Sequence, residues 1–354
     1  MRLFRRSIEI ILANQAPTGA YIASPNFPTY HYSWFRDGTY IAYAMDVVGE
    51  HESARRFHDW GAGIIVARAG QIRRALERRE KGEPLSSRDY LHTRYTLDGR
   101  EAAEDWQNLQ LDGFGTWLWG VSQHLALTGL DAPPPKWREA IELLAPYLAT
   151  LWDYPCYDQW EEEPDHIHIY TLVAIYGGLQ ASAKLLKRRK WADTAKTIRS
   201  FVLTSGVADG HLVKDVGTEA VDGALVAAST PYGMFRPDDS LMRATVARIE
   251  AGLRKEGGGV HRYKADIFYG GGEWVLLTAW LGWYYVEVGE PERARKLLAW
   301  VEAQANERGE LPEQEPRSLN DPDFYQPWVR RWGPIAQPLL WSHAKYLILR
   351  SVLR

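Results

Sequence analysis

Apolar residues recur at the three- and four-residue spacing of an α-helix along most of the chain. Strand-like alternation is short and rare, and it is clearest at 95–97 and 211–213. We therefore expect an all-α fold of about twelve helices. The candidate helices lie near 2–15, 35–48, 51–80, 112–128, 135–152, 168–188, 191–205, 221–229, 239–255, 272–288, 291–308 and 337–353.

Two kinds of helix alternate in this pattern. The segments 112–128, 168–188 and 272–288 are apolar on most sides, which is typical of buried helices, whereas 239–255 and 291–308 carry a charged face. Alternating outer and inner helices predict six helical hairpins that close into an (α/α)6 barrel. An open solenoid is the competing arrangement, but no repeat of fixed period is visible.

Aromatic and charged residues concentrate in the loops that precede the apolar helices. In a ring of hairpins these loops emerge at one end, which predicts a single polar pocket on a rigid scaffold. The segments concerned are 30–37, 106–113, 157–170, 262–274 and 311–337.

Composition narrows the possible partners. The chain has 354 residues, a formal net charge of -3 and no basic footprint for nucleic acid, so a small neutral ligand is expected. Its 16 Trp and 19 Tyr suit stacking on sugar rings as well as core packing. The single Cys156 excludes an intrachain disulfide. No metal or organic cofactor is implied.

The chain carries no sign of membrane association. No segment has the apolar length of a membrane span, and the first helix, interrupted by Arg5 and Arg6, lacks the core of a signal peptide. No linker rich in Pro, Gly or Ser divides the chain. We expect one domain over residues 1–354 in a cytoplasmic protein.

Carboxylates dominate the candidate chemistry. The cluster 158–163 places three consecutive glutamates beside Trp160, and neighbouring charge and an apolar ring both raise a carboxyl pKa, as a general acid requires. Such a cluster is also typical of solvated loop surface. The second carboxylate is expected at the start of the long stretch that opens at Leu311, where spacing alone does not select Glu313 over Glu315 or the preceding Glu310.

Two arginines are candidates for sugar binding. Arg36, followed by Asp37, and Arg262, which precedes Asp266, have the charge to hold sugar hydroxyls through charge-assisted hydrogen bonds. A buried ion pair that stabilises the loop explains each of them equally well.

The ordered set of motifs resembles glycoside hydrolase family 15, the glucoamylase and glucodextranase family. The resemblance covers most of the chain, and each motif is weak on its own. It rests on Tyr-x-Tyr-x-Trp-x-Arg-Asp at 30–37, Trp106 with Gln110-x-Asp112-Gly113, the acidic segment 158–162, Arg262-Tyr263 followed by Asp266 and Trp274, and Leu-Pro-Glu-Gln at 311–314.

The resemblance implies an inverting, exo-acting α-glucoside hydrolase on an (α/α)6 barrel, which releases β-glucose from the non-reducing end of small α-gluco-oligosaccharides. Glu161 would be the general acid and Glu313 the general base, roughly 6.5–9.5 Å apart to admit a water molecule. The implied substrate-binding residues are Tyr30, Trp34, Arg36, Asp37, Trp106, Gln110, Asp112, Glu162, Arg262 and Trp274.

Unlike many prokaryotic relatives, this chain begins directly with the helical part, so we expect no N-terminal β-sandwich domain. The preferred linkage is left open, with isomalto-oligosaccharide or dextran-type linkages among the candidates. Three alternatives remain: a trehalase of the same family, an inverting disaccharide phosphorylase, and a non-catalytic sugar-binding barrel. A phosphorylase needs no carboxylate base, so Glu313 favours hydrolysis, and retention of both carboxylates favours an enzyme.

Overall fold

The computed structural model describes residues 2–354 and confirms that the chain is mostly helical. The α-helices are α1 Arg2–Ala13, α2 Phe35–Val47, α3 His51–Ala67, α4 Ala69–Glu80, α5 Asp112–Thr128, α6 Pro135–Leu151, α7 Ile169–Leu186, α8 Arg189–Ser205, α9 Ser240–Leu253, α10 Val275–Glu287, α11 Pro291–Ala303, α12 Tyr325–Trp332 and α13 Leu340–Val352. The two-residue strands are β1 Ser33–Trp34, β2 Arg94–Tyr95, β3 Val207–Ala208, β4 His211–Leu212, β5 Glu273–Trp274 and β6 Gln314–Glu315. Short 3₁₀ helices span Pro28–Tyr30, Gly223–Ala228, Phe268–Gly270 and Pro322–Phe324.

The chain forms two compact units. The central unit comprises Ala16–Tyr21 and Ser33–Gly206, and the terminal unit comprises the chain up to Gln15, Ile22–Tyr32 and Val207–Arg354.

In the central unit, the apolar helices α5 and α7 approach each other closely. A Cβ added to Gly115 would lie 2.5 Å from the Ala174 carbonyl oxygen, and one added to Gly178 would lie 2.4 Å from the Gly115 oxygen. Glycine therefore allows the two backbones to touch. Helices α6 and α8 bury one face only, as is typical of amphipathic helices. Strands β1 and β2 pair antiparallel, with Trp34 opposite Arg94.

In the terminal unit, α10 is buried on most sides and packs against α11 and α13. Helix α1 lies against α13, where the His343 ring and the Ser7 hydroxyl are 2.9 Å apart. Strands β5 and β6 pair antiparallel, with Trp274 opposite Gln314.

Several boundaries differ from the sequence expectation. The expected helix 51–80 breaks at Arg68 into α3 and α4, and the expected helix 221–229 is a 3₁₀ helix over Gly223–Ala228. Helix α12 was missed, because it lies within the stretch read as loop. Gly129 ends α5 in the left-handed conformation that favours glycine, with φ of 69°. Within residues 2–354, no helix combines the length and the apolar character that crossing a bilayer requires.

Candidate active site

A tight turn presents Glu161 in the central unit. The buried carboxylate of Asp158 accepts hydrogen bonds from the backbone N–H groups of Trp160 at 2.8 Å and Glu162 at 2.9 Å. The Glu161 N–H donates to the Asp158 carbonyl oxygen at 3.0 Å. Glu161 has φ of 69°, a conformation that costs a residue with a Cβ about 1 kcal/mol or more. The Asp158 turn therefore holds Glu161 in a strained backbone position.

Two neutral donors hold the Glu161 side chain. The indole N–H of Trp34 donates to Glu161 Oε1 at 2.7 Å, and the Gln110 amide donates to the same oxygen at 3.1 Å. Trp34 comes from β1, just before α2, and Gln110 lies just before α5. Three distant segments of the chain thus meet at one carboxyl oxygen.

Arg36 extends this network beneath Gln110. Its Nη1 donates to Gln110 Oε1 at 2.9 Å and to Asp112 Oδ2 at 3.0 Å, and its Nε lies 3.6 Å from Asp37 Oδ2. All of these side chains are buried. The charge on Arg36 orients Gln110, which in turn contacts Glu161. We name Trp34, Arg36, Gln110, Asp112 and Glu161 the Glu161 cluster.

One guanidinium cannot neutralise all the neighbouring carboxylates. Burial, together with the charges of Glu161 and Asp112, raises the pKa of Asp37 to about 7, although Arg36 acts to lower it. Asp37 therefore exchanges its proton near neutral pH.

Aromatic rings flank the Glu161 cluster. The rings of Trp34 and Trp106 meet edge to face with centroids 6.2 Å apart. The buried guanidinium of Arg94 lies 3.6 Å from the Trp106 centroid and 5.7 Å from that of Trp34. This cation–π stack fixes the orientation of both indoles.

Glu313 lies in the terminal unit, immediately before β6. Its backbone N–H donates to the Ala336 carbonyl oxygen at 2.9 Å, and its own carbonyl accepts from the Val275 N–H at 3.2 Å. The Tyr30 hydroxyl donates to Glu313 Oε1 at 3.0 Å. Glu313 is only 3% exposed, so the Tyr30 phenol and two backbone hydrogen bonds hold a buried carboxyl group in place.

Arg262 forms a buried ion pair, which is one of the two roles that the sequence allowed for it. Its Nε donates to Asp266 Oδ2 at 2.8 Å, and its Nη2 contacts Asp266 Oδ1. Its guanidinium also lies 5.1 Å from the Trp274 ring centroid and 5.4 Å from that of Phe268. Asp266 and these rings hold Arg262 in place.

The expected site residues therefore fall into two groups. In the central unit, Glu162 lies in the Asp158 turn, and Asp37 and Trp106 adjoin the Glu161 cluster. In the terminal unit, Tyr30 contacts Glu313, and Arg262 lies beside Trp274.

Sequence reasoning missed the supporting roles of Asp158 and Arg94. Asp158 was visible only as one member of an acidic cluster. Arg94 stood in no motif, because its stacking partners Trp34 and Trp106 are distant in sequence.

The family model described as Glycosyl hydrolases family 15 matches residues 2–310. The chain belongs to this family. It is accordingly a glycoside hydrolase, as the ordered motifs predicted.

Relatives and solved structures agree with this membership. The chain is 44% identical to "Isomaltose glucohydrolase" of Kribbella flavida over 99% of its own length and 92% of that protein. A solved glycosidase variant in complex with glucose matches with a TM-score of 0.95 at 44% identity, covering 99% of this chain and 96% of the other. A bacterial glucoamylase complexed with acarbose matches with a TM-score of 0.75 at 20% identity, covering 99% of this chain and 55% of that chain. These likenesses confirm the expected (α/α)6 barrel fold.

Proposed function

We propose that the protein is an inverting, exo-acting α-glucoside hydrolase that releases β-glucose from small α-gluco-oligosaccharides, with isomaltose-type linkages preferred. The name of the Kribbella flavida relative, at 44% identity over almost the whole chain, supports the substrate class. The observation that carries the chemistry is the strained, hydrogen-bonded presentation of Glu161.

We assign Glu161 as the general acid. Both hydrogen bonds from Trp34 and Gln110 end on Oε1, so Oε2 is the oxygen that carries the proton to the glycosidic oxygen. The leaving sugar takes that proton as the bond to the anomeric carbon breaks. Donors on Oε1 also stabilise the carboxylate that remains.

We assign Glu313 as the general base. In an inverting hydrolysis, this carboxylate takes a proton from water as the water oxygen bonds to the anomeric carbon. The Tyr30 hydroxyl holds Oε1 and thereby orients the carboxylate. The strand pairing of the following residues fixes the backbone at this point.

The remaining residues serve as the sugar-binding set. Arg36, Asp37 and Arg262 offer charged groups for glucose hydroxyls, and Tyr30, Trp34 and Trp106 offer aromatic faces. Gln110, Asp112, Glu162 and Trp274 complete the proposed set. Asp112 acts through Arg36, because its carboxylate is wholly buried against that guanidinium.

The decisive experiment follows the anomeric proton signals by NMR during hydrolysis of isomaltose, maltose and trehalose at equal concentration. We expect β-glucose to appear before mutarotation, with isomaltose turned over fastest. Initial release of α-glucose would refute inversion, and preferential turnover of trehalose would favour the trehalase alternative. Glucose 1-phosphate formed only when phosphate is added would replace hydrolysis by phosphorolysis.

We also propose a single catalytic domain over residues 1–354 and a cytoplasmic location. Fractionation of the source cells would test the location, since recovery of activity outside the cytoplasmic fraction contradicts it. Calorimetry would test the domain, since two separate unfolding transitions contradict a single cooperative unit.

A further inference from the structure

A second cluster of ionisable side chains lies inside the central unit. Asp46 is near the end of α2, His58 is in α3 and His124 is in α5, and all three are buried. One nitrogen or oxygen atom from each of them lies within 4.8 Å of the others. We name these three residues the Asp46 cluster.

Asp46 already binds two imidazoles. His124 Nδ1 lies 3.0 Å from Asp46 Oδ1 and 2.9 Å from Oδ2, and His51 Nδ1 lies 2.9 Å from Oδ1. The His51 side chain is 42% exposed, whereas those of Asp46 and His124 are 0% and 2% exposed. His51 therefore marks the solvent side of the cluster.

His58 is the unexplained member. It is 0% exposed, and within residues 2–354 neither of its ring nitrogens has a hydrogen-bond partner. Burying a polar group without a partner costs about 1–3 kcal/mol, so such a ring calls for a ligand or another compensation. Its centroid lies 5.4 Å from that of His124, so the unsatisfied ring faces the Asp46–His124 pair.

Aromatic packing holds the histidines in place. The Trp137 ring lies 5.3 Å from His58 and 5.4 Å from His124, centroid to centroid. The Trp137 indole N–H donates to Asp59 Oδ1 at 2.7 Å, which fixes that ring. The cluster is thus a rigid site in an apolar surrounding.

We propose that Asp46, His58 and His124 bind a divalent transition-metal ion, with zinc the best match, as a structural site joining α2, α3 and α5. Two imidazoles and one carboxylate are ligands that zinc accepts at about 2.0–2.2 Å in a tetrahedral arrangement. The ion replaces the direct contact between the His124 ring and Asp46 and gives His58 the partner that it lacks.

His51 completes the proposal. Because it contacts Asp46 from the exposed side, it provides the route of entry and either the fourth ligand or the hydrogen bond that orients the carboxylate. Asp46 is ten residues after Arg36 on α2, about 15 Å along the helix axis, so the ion has no part in the chemistry at Glu161.

The test measures metal content in untagged protein purified without chelators, followed by chelator treatment and calorimetric titration with Zn²⁺. We expect one Zn²⁺ bound per chain, and a Tm that falls by roughly 3–5 °C on chelation and recovers with Zn²⁺. His58→Asn should weaken Zn²⁺ binding by about 100-fold or more. His211→Asn is the matched control, a buried histidine of the terminal unit, and should bind Zn²⁺ like the wild type.

A second measurement requires no variant. Co²⁺ added to the chelated wild type should produce the visible absorption of a four-coordinate site, and Zn²⁺ should displace it. No binding by the wild type, or equal binding by His58→Asn and the wild type, overturns the proposal. If metal-free His58→Asn is more stable than the metal-free wild type, His58 is a buried side chain with no role as a metal ligand, and the proposal is wrong.

Discussion

The surroundings of Glu161 and Glu313 differ in kind, although both residues are glutamates in the same chain. Glu161 lies in a strained turn, and two donors bind one of its oxygens while a buried Arg36 lies behind them. Glu313 precedes a paired strand, and the phenol of Tyr30 binds it. An acid must present one protonated oxygen, whereas a base needs an oriented carboxylate, so the difference matches the two proposed roles.

The largest effect should come from removing each carboxylate. Glu161→Gln and Glu313→Gln should each lower kcat on isomaltose by roughly 10²–10⁴-fold, because each loses a proton transfer. On α-glucosyl fluoride, Glu161→Gln should recover much of its rate, since fluoride departs without a proton, and Glu313→Gln should not. Steady-state kinetics measures both, and the reverse pattern would exchange the two roles.

Asp37 provides a test through the pH dependence of stability. Its pKa is about 7 in the folded protein and about 3.9 in an unfolded chain. Between these values the folded state keeps a proton that the unfolded state has lost, so the free energy of unfolding falls as pH rises from 4 to 7.

Between pH 4 and 7 the free energy of unfolding should fall by at most about 4 kcal/mol, and Asp37→Asn should abolish this fall. Urea unfolding at a series of pH values measures this, with Asp98→Asn, an exposed site, as the control. An identical pH slope in Asp37→Asn and the wild type would show that the Asp37 proton does not contribute.

The Asp158 turn supports Glu161, and across the described residues 2–354 no corresponding turn supports Glu313. Asp158→Ala leaves the N–H groups of Trp160 and Glu162 without their acceptor, at a cost of about 2–3 kcal/mol in the free energy of unfolding. Asp158→Asn keeps a carbonyl oxygen and should lose less. We also expect kcat to fall more than KM rises in Asp158→Ala, and an unchanged kcat would show that the turn does not position Glu161.

The smallest effect concerns the Glu313 side. Tyr30→Phe removes one hydrogen bond, worth about 1 kcal/mol, and should lower kcat about fivefold. The acidic limb of the kcat/KM profile should move to higher pH, because the ionised carboxylate has lost a donor. Tyr284→Phe, which removes a phenol bond to the Pro237 carbonyl in the same unit, should leave that limb in place. If kcat/KM depends on pH in the same way in both variants, the Tyr30 hydroxyl does not support the function of Glu313.

Much of the fold was readable from the chain alone, because local rules govern it. The apolar runs of α5, α7 and α10 predict buried helices, and Gly129 predicts a left-handed helix end. Helix α12 was not predicted, because it lies in a stretch rich in loop residues. Its residues Tyr325, Trp328 and Trp332 nevertheless have helical spacing and pack in an aromatic cluster.

Ordered motifs identified the family, and they did so because each motif is continuous along the chain. Only the tertiary structure revealed the Asp158 turn, the Arg94 stack on two indoles and the Asp46 cluster. The Arg94 stack and the Asp46 cluster join side chains that are distant in sequence and meet only after folding. The Asp158 turn is local, but the burial of its carboxylate depends on the surrounding fold. A linear sequence records which side chains are present, whereas burial and proximity, which set their partners and proton affinities, arise from the packing of whole helices.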